Sequence, residues 1–281
     1  MILYEHDGAG ISIDDFVEQL APHIDKGDTL SVELDTMRFG KVSRGLNKEQ
    51  FLTGVFEIFH RLVGEQGTII IPTFSYSWGA DSAHKYFDVA NTPGKVGIFP
   101  EYFRNRDDVI RSLDPMFSLA AWGRDKEWLT HNDSKSSFGQ GSLYHKMHER
   151  NAKAISFGLK KFDPTFVHYV EQRFHETVSE LDYRFVKRFE GTIVDRTGAE
   201  YEDHQYCFSR VLDKCVGLEF DESLMVHALS GRNQFVTLAV GNAKICLSDY
   251  HAIFEVGIEG LRNNRAFFMS CRGKKGCIDT I

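Results

Sequence analysis

Two early segments of the chain repeat apolar residues at intervals of three and four, and this period predicts amphipathic helices. The first covers residues 10–26, where Pro22 is expected to kink the helix. The second follows Asn47, whose side chain suits a helix N-cap, and it ends at Gly64. The wide apolar stripe of the second helix predicts a deeply buried face.

Strands alternate with these helices along the chain. Residues 28–34 alternate between apolar and polar positions, which predicts a strand, and they lead into a glycine-containing loop at 38–45. Residues 67–72 form a β-branched run typical of a strand buried on both faces, and residues 154–158 predict another strand. Strand, loop, helix and buried strand in that order form a βαβ unit, so we predict an α/β fold with a partly parallel sheet. The site is expected in a crevice outside the carboxyl ends of the strands.

The second half of the chain continues without a linker or an internal repeat. Its predicted elements are helices at 164–174 and 249–261 and strands at 192–194 and 235–240. Asp163 is the predicted N-cap of the first of these helices. The loop over residues 75–97 is long for a compact domain, and such loops usually carry function. We expect a single domain over residues 1–281, with a small C-terminal lobe from about residue 190 as the alternative.

Composition narrows the class of protein. The 281 residues are 42% hydrophobic and 26% charged, which is typical of a water-soluble globular chain. A formal net charge of −7 gives no basic surface for nucleic acid. No apolar run reaches the 18 or more residues that span a bilayer, and the N-terminus lacks a leader pattern. We therefore expect a cytoplasmic protein with neither a nucleic-acid nor a membrane partner.

Cysteine and histidine are numerous but lack metal-ligand spacing. The five cysteines are an odd number with no CxxC pair, and the twelve histidines include no HExxH motif. We expect reduced thiols and no metal site. The basic, glycine-rich segment 271–277 is expected to be a frayed tail.

His168 and Glu171 are the pair with the clearest chemical meaning. They lie three residues apart on the predicted helix, so both side chains share one face. A carboxylate beside an imidazole fixes its tautomer and raises its basicity, as a general base near neutral pH requires. Two unconnected surface side chains would show the same spacing. The position of the pair after the strand at 154–158 favours the functional reading.

A second polar group lies in residues 109–123, where Arg111, Ser112, Asp114 and Ser118 alternate with apolar residues. These side chains are candidates for binding a ligand. An ordinary strand with internally satisfied polar groups explains the pattern equally well.

Four motifs, taken in order, resemble the aminoglycoside 3-N-acetyltransferase family, an antibiotic N-acetyltransferase type distinct from the GNAT enzymes. The resemblance extends over residues 28–268. It rests on Gly67-Thr-Ile-Ile-Ile-Pro-Thr-Phe74, Arg111-Ser-Leu-Asp-Pro-Met-Phe-Ser-Leu-Ala-Ala-Trp-Gly123, Trp128-Leu before Phe138-Gly-Gln-Gly-Ser142, and Thr165-Phe-Val-His168-Tyr-Val-Glu171.

The resemblance implies a single α/β domain with a central mixed sheet flanked by helices, and acetyl transfer from acetyl-CoA directly to an amine. It places the general base at His168 and the motif carboxylate at Glu171. The implied cofactor-binding candidates are Asp35, Thr36, Arg38, Gly40, Thr73, Arg111, Ser112 and Ser118. The candidates for binding the amine substrate are Tyr76, Asp114, Asp163 and Asp182.

The sequence also departs from the family pattern. Where the family commonly has His-Ser-Ser-Leu after the first strand, this chain has Glu33-Leu-Asp-Thr36, and the hydroxyls expected along the CoA channel are missing. Asp114 stands where the family motif has histidine. These changes leave a second hypothesis open, a catalytically inactive family member that binds CoA or another ligand without turnover. A serine or metal hydrolase is disfavoured because GxSxG and metal-ligand spacings are absent.

Two classes of acceptor remain open at the sequence level. An aminoglycoside is a polycation, which carboxylates could bind; the candidates are Asp81, Asp88, Asp182 and Asp203. Lys160 and Lys161 would instead favour an anionic, nucleotide-linked amino sugar. The oligomeric state is equally open, with a homodimer among the options.

Overall fold

The computed structural model describes residues 1–79, 83–131, 133–211 and 218–271. Its helices are α1 (Ile13–Leu20), α2 (Lys48–Val63), α3 (Ile98–Arg104), α4 (Lys126–Thr130), α5 (Leu143–Glu149), α6 (Val167–Thr177), α7 (Ser223–Gly231) and α8 (Tyr250–Asn263). Its strands are β1 (Ile2–His6), β2 (Ala9–Ser12), β3 (Thr29–Leu34), β4 (Lys41–Val42), β5 (Thr68–Pro72), β6 (Tyr86–Asp88), β7 (Ile110–Arg111), β8 (Leu119–Gly123), β9 (Lys153–Phe157), β10 (Arg184–Val194), β11 (Glu200–Arg210), β12 (Leu218–Phe220), β13 (Val236–Val240), β14 (Ala243–Asp249) and β15 (Met269–Cys271).

A seven-stranded mixed sheet forms the centre, in the order β13-β14-β9-β3-β5-β8-β7. Strand β3 pairs in parallel with both β5 and β9, and the other neighbours in this sheet are antiparallel. The predicted βαβ unit is therefore confirmed as β3-α2-β5. Three small sheets accompany the large one, in the orders β2-β1-β4, β11-β10-β6 and β12-β15.

Helices cover both faces of the large sheet because its central strands are apolar on both sides. In β5, Ile70 belongs to the core cluster that α6 and α8 cover, whereas Ile69 and Ile71 belong to the cluster covered by α1 and α2. The α6 side of the core also contains Phe208 and Met225, so the C-terminal elements share a core with the central sheet. The predicted α/β class with a mixed central sheet is confirmed.

Local chemistry explains where α2 begins and ends. The Asn47 side chain accepts a hydrogen bond from the backbone N–H of Gln50, and the Gln50 side chain accepts one from the backbone of Asn47. Gly64 follows the helix with φ of 66°, a conformation that glycine adopts at little cost. Both predicted boundaries are confirmed.

Three predicted helix boundaries are wrong. The predicted helix at 10–26 is shorter, because Ala9–Ser12 pair with β1 and Ser12 caps a helix that begins at Ile13 and ends at Leu20. Pro22 lies in a 3-10 turn, Ala21–His23, after α1 and does not kink a longer helix. Asp163 does not cap α6, which begins only at Val167 with no side-chain cap of its own.

Candidate active site

The carboxyl ends of β3 and β5 border a cavity of about 160 Å³. Its walls are apolar except for one carboxylate, and they consist of Glu33, Leu34, Pro72, Phe74, Val96, Pro100 and Leu159. The cavity occupies the edge of the sheet where the topology of an α/β fold places ligands. The next strand of the same edge, β9, leads through residues 158–166 into α6, the helix that carries His168.

The imidazole of His168 is held by Glu171 one helical turn later. Its Nδ1 lies 3.0 Å from Oε2 of Glu171, whose side chain is only 1% exposed. About a quarter of the His168 side chain, 25%, remains open to solvent. The sequence-predicted pair is therefore in contact, with a buried carboxylate behind an accessible ring.

Arg184 and Tyr183, at the start of β10, complete this cluster from the other side. Nε of Arg184 forms an ion pair with Oε2 of Glu171 at 2.8 Å, and the Tyr183 hydroxyl donates to Oε1 of Glu171 at 3.0 Å. Nη2 of Arg184 also lies 3.0 Å from Nδ1 of His168. Sequence reasoning missed both residues because they reach Glu171 through tertiary contact, without a local motif.

These neighbours set the protonation of the pair. Burial of the ring, together with the cation of Arg184, lowers the pKa of His168 below its ordinary value, although Glu171 opposes this shift. Burial alone would raise the pKa of Glu171, but Arg184, His168 and Tyr183 outweigh it and lower that pKa to about 2. Near neutral pH the cluster therefore holds a neutral imidazole beside a carboxylate anion.

The contacts also decide the tautomer of His168. A proton on Nδ1 donates to the Glu171 anion in a charge-assisted hydrogen bond, while Nη1 of Arg184 donates to the carbonyl of Phe208 and its Nε forms an ion pair with Glu171. We assign the proton to Nδ1 because the Glu171 anion can only accept. The lone pair of Nε2 is then free to take a proton from a substrate.

An aromatic wall connects this imidazole with the cavity. The ring of Phe138 lies 5.3 Å from that of His168, Phe117 lies 4.7 Å from Phe138, and Phe74 lies 5.2 Å from Phe117. Phe74 is itself a cavity residue. Tyr76, a predicted substrate residue, packs against Phe74 and Phe117 in a backbone conformation with φ of 50°. Ring contacts thus join one cavity residue, Phe74, to His168 through Phe117 and the buried Phe138.

Arg111, Ser118 and Thr73, three predicted cofactor residues, form a buried frame beneath this surface. The Arg111 guanidinium donates to the carbonyls of Thr73 and Thr92 at 2.8 and 2.5 Å and to Oγ of Ser118 at 3.2 Å. The Ser118 hydroxyl donates to the Thr73 carbonyl, and the Thr73 hydroxyl donates to the Ser118 carbonyl. The geometry gives these side chains a supporting role, and their contact with a cofactor stays a prediction.

Ser112 and Asp114 likewise make internal hydrogen bonds. The Ser112 hydroxyl accepts from the backbone N–H of Leu119, and one Asp114 oxygen accepts from the N–H groups of Met116 and Phe117. Burial raises the pKa of Asp114, although these hydrogen bonds oppose the shift. These hydrogen bonds make Asp114 part of the turn before β8. Because its side chain is buried, the structure does not support its predicted contact with substrate.

The loop after β3 contains the other predicted cofactor residues. Asp35 pairs with Arg38 at 2.7 Å, and both side chains are partly exposed. The carbonyl of Thr36 accepts from the Tyr4 hydroxyl, and its side chain is buried. Gly40 lets the loop pass close to β1, because a Cβ there would lie 2.7 Å from the Glu5 carbonyl oxygen.

The predicted charged contacts to an acceptor are dispersed. Asp163 and Asp182 lie at the surface. Protein atoms packed around the carboxyl group of Asp163, together with the charge of Glu222, raise the pKa of Asp163 to about 6. Lys160 is exposed, whereas Lys161 pairs with Glu222 and Asp203 pairs with Lys135. Asp88 caps the loop at residues 90 and 91. Asp81 and the predicted tail at 272–277 lie outside the described residues.

The described ranges contain neither a metal site nor a membrane-spanning helix. Among these residues, no group of three or more His, Cys, Asp or Glu side chains could hold a metal ion. In the same part of the chain, none of the helices combines the length and apolarity needed to cross a membrane.

The sequence model of the aminoglycoside 3-N-acetyltransferase family matches residues 32–262. The chain belongs to this family. It is accordingly placed among acyltransferases, as its motifs predicted. No curated protein matches the sequence significantly.

Solved structures show the same fold at low sequence identity. Aminoglycoside acetyltransferase AAC(3)-Xa superposes with a TM-score of 0.74 at 19% identity, over 90% of this chain and 93% of that one. AAC-VIa bound to sisomicin gives 0.72 at 20%, over 90% and 98% of the two chains. AAC-IIIb in a binary complex with CoASH gives 0.71 at 20%, over 90% and 97%. These likenesses support the fold throughout the central sheet and its helices.

Proposed function

We propose that this family member transfers the acetyl group of acetyl-CoA to an amine of a cationic amino sugar, with His168 as the general base. The observation that carries the proposal is the partly exposed imidazole fixed by the buried Glu171, 3.0 Å away. A neutral ring with its lone pair on Nε2 is in the state that a general base needs before reaction.

The residues present fit the pantetheine arm of CoA. The cavity at the ends of β3 and β5 is mostly apolar, and aromatic ring contacts join its Phe74 to His168. When bound there, acetyl-CoA supplies a thioester carbonyl as the electrophile. The cavity walls would exclude water from the thioester and so protect it against hydrolysis.

Proton transfer is the chemistry that the chain itself supplies. An amine attacks a carbonyl only through its nitrogen lone pair, so a proton must leave that nitrogen as the new bond forms. Nε2 of His168 accepts this proton. The Nδ1–H donated to Glu171 then stabilises the positive ring that results, and the sulfur leaves as the thiol of CoA after protonation. No covalent intermediate with the protein is required.

Carboxylates near α6 support a cationic acceptor. Burial and Glu222 raise the pKa of Asp163, Lys161 and Arg210 oppose the shift, and Glu171 adds a further negative charge nearby. Lys161, a candidate for binding an anionic acceptor, already lies 3.6 Å from Glu222. One of the structural neighbours carries sisomicin, an aminoglycoside, which supports the same class.

A thiol-release screen tests the proposed reaction. Purified protein with acetyl-CoA is offered aminoglycosides, nucleotide-linked amino sugars and simple amines, and release of free thiol is followed with a chromogenic disulfide. We expect saturable release with at least one polycationic amino sugar. Absence of release with every amine, despite calorimetric binding of CoA, would support the inactive binding protein instead.

A further inference from the structure

Glu33 lies between the cavity and the start of α6, the helix that carries His168. It is the penultimate residue of β3, lines the cavity of about 160 Å³, and also lines a smaller pocket beside Ser156 and Asp163. No other charged side chain borders the larger cavity within the described parts of the chain. Glu33 begins the segment Glu33-Leu-Asp-Thr36, which departs from the His-Ser-Ser-Leu of the family motif.

The carboxylate of Glu33 binds the turn that precedes α6. Its Oε1 accepts a hydrogen bond from the backbone N–H of Thr165 at 2.7 Å, and the Thr165 hydroxyl bonds to it as well. The carbonyl of Thr165 in turn accepts from the backbone N–H of His168 at 3.1 Å. One short series of hydrogen bonds therefore joins the end of β3 to the backbone of His168.

This contact replaces a local helix cap. Phe166 occupies the N-cap position of α6 without a side-chain hydrogen bond, and Asp163 does not supply one either. The turn at residues 164–166 consequently depends on an acceptor from another strand. Such an anchor fixes both the start of α6 and its distance from the cavity.

We propose that Glu33 is a positioning residue for His168, which it holds against the cavity by binding Thr165. The proposal rests on the proposed function, because it assigns a role within the same reaction. Glu33 does not exchange a proton with the substrate. Glu33 contributes the oxygen atom that accepts the N–H of Thr165. A neutral side chain of the same shape should therefore serve in its place.

Hydrogen exchange tests the anchor without requiring activity. In Glu33→Ala the amides of residues 165–168 should exchange about 10-fold faster or more, since the N–H of Thr165 loses its acceptor. Glu33→Gln should keep exchange within about 3-fold of wild type, because its amide oxygen accepts the same N–H. Asp28→Ala is the matched control: it removes a carboxylate that accepts from the Asp25 N–H at the opposite end of β3.

Steady-state kinetics test the consequence for catalysis. In Glu33→Ala we expect kcat to fall about 10-fold or more and KM for acetyl-CoA to change less than about 2-fold, because misplacement of the base affects the chemical step. Glu33→Gln should recover most of kcat.

Three results would overturn the proposal: unchanged exchange at residues 165–168 in Glu33→Ala, a glutamine variant as impaired as the alanine variant, or a loss confined to KM for acetyl-CoA. The last would make Glu33 a ligand-binding carboxylate. A wild-type protein that acetylates no amine would instead refute the proposed function. The exchange result would still show whether Glu33 anchors the turn at Thr165.

Discussion

The Glu171 carboxylate is the most constrained charge in the site. It is buried, and it contacts His168, Arg184 and Tyr183 at 2.8–3.0 Å. A buried carboxylate of this kind is tolerated because its partners compensate for lost hydration, and removal of one member leaves the others uncompensated. Glu171 therefore serves both the stability of the fold and the orientation of the base.

Glu171→Gln should affect both properties. The variant leaves the buried guanidinium of Arg184 without its anion, and we expect the free energy of unfolding to fall by about 3–5 kcal/mol. Activity should drop on the order of 10²-fold, because the His168 tautomer is no longer fixed. Urea denaturation and thiol-release assays measure the two effects.

Tyr183→Phe provides a milder comparison for Glu171→Gln, since it removes one hydrogen bond and keeps the carboxylate charge. It should cost less in both measurements. If Glu171→Gln retained full activity, Glu171 would have no role in orienting the imidazole.

In the proposed mechanism, Arg184 sets the pH range in which His168 can act as a base. Its cation, with burial, holds the pKa of His168 below the ordinary value, so the neutral base persists into mildly acidic solution. Arg184→Met removes the cation that lowers the pKa of His168. The Glu171 anion, which raises that pKa, remains, so the pKa of His168 rises. The acid limb of kcat/KM against pH should move to higher pH, and activity at pH 6.5 should fall relative to activity at pH 8.

Arg173→Met is the control for this pH profile, because Arg173 pairs with Glu176 on the same helix at 2.8 Å and away from His168. Its acid limb should match that of wild type. An unshifted profile in Arg184→Met would separate Arg184 from the protonation of the base.

The sequence allowed part of this cluster to be predicted. His168 and Glu171 share one helix face, and a spacing of three residues makes their contact local. Arg184 and Glu33 reach the same helix from β10 and β3, and no periodic pattern in the chain encodes those distances. Arg111, Ser112 and Ser118 show the converse error: their motif predicts a polar site, but the polar groups bind one another beneath it.

At the scale of elements, prediction succeeded where a local signal was strong. The continuous β-branched run of β5 and the capping residues of α2 were sufficient to define β3-α2-β5. The start of α6 was missed because the helix lacks a side-chain cap of its own. The long β10-β11 hairpin was also largely missed, since many of its residues are exposed on both faces and show little apolar alternation.

The caps of α2 and α6 make contrasting predictions. Asn47→Ala removes one half of the capping box of α2 and should lower the free energy of unfolding by about 1 kcal/mol. Asp163→Ala should not lower it at pH 7.5, since Asp163 caps nothing. Its pKa of about 6 lies above the ordinary 3.8, so ionisation of Asp163 lowers the stability of the fold as the pH rises from about 4 to about 6, and this cost is fully present at pH 7.5.

Urea denaturation of both variants at pH 7.5 checks the contrast. A loss in Asp163→Ala as large as that in Asn47→Ala would restore Asp163 as the cap of α6.

At the scale of the whole molecule, the central sheet brings residues from distant parts of the chain to one edge. Glu33 lies near the carboxyl end of β3, and Phe74 and His168 follow β5 and β9, the two strands that run parallel to β3. The net charge of −7 adds an acidic field that would attract the proposed polycationic acceptor and that grows weaker with added salt.

Binding of CoA to the folded protein should raise its melting temperature. A ligand at 100 times its dissociation constant adds about 2.7 kcal/mol of stability, which corresponds to a shift of roughly 5–10 °C for a chain of this size. Thermal denaturation with and without CoA measures the shift, with adenosine monophosphate as a control that lacks the pantetheine arm. Equal shifts for CoA and the control would contradict binding of the pantetheine arm in the cavity.

The most direct measurement compares thiol release by wild type, His168→Ala and His131→Ala with saturating acetyl-CoA and the best amino-sugar acceptor. His131 is 73% exposed and lies outside the cluster, so its variant should match wild type. His168→Ala should be slower by about 10²–10⁴-fold while its circular dichroism and melting temperature remain close to wild type. A His168→Ala enzyme that is folded and turns over at the wild-type rate would contradict the account.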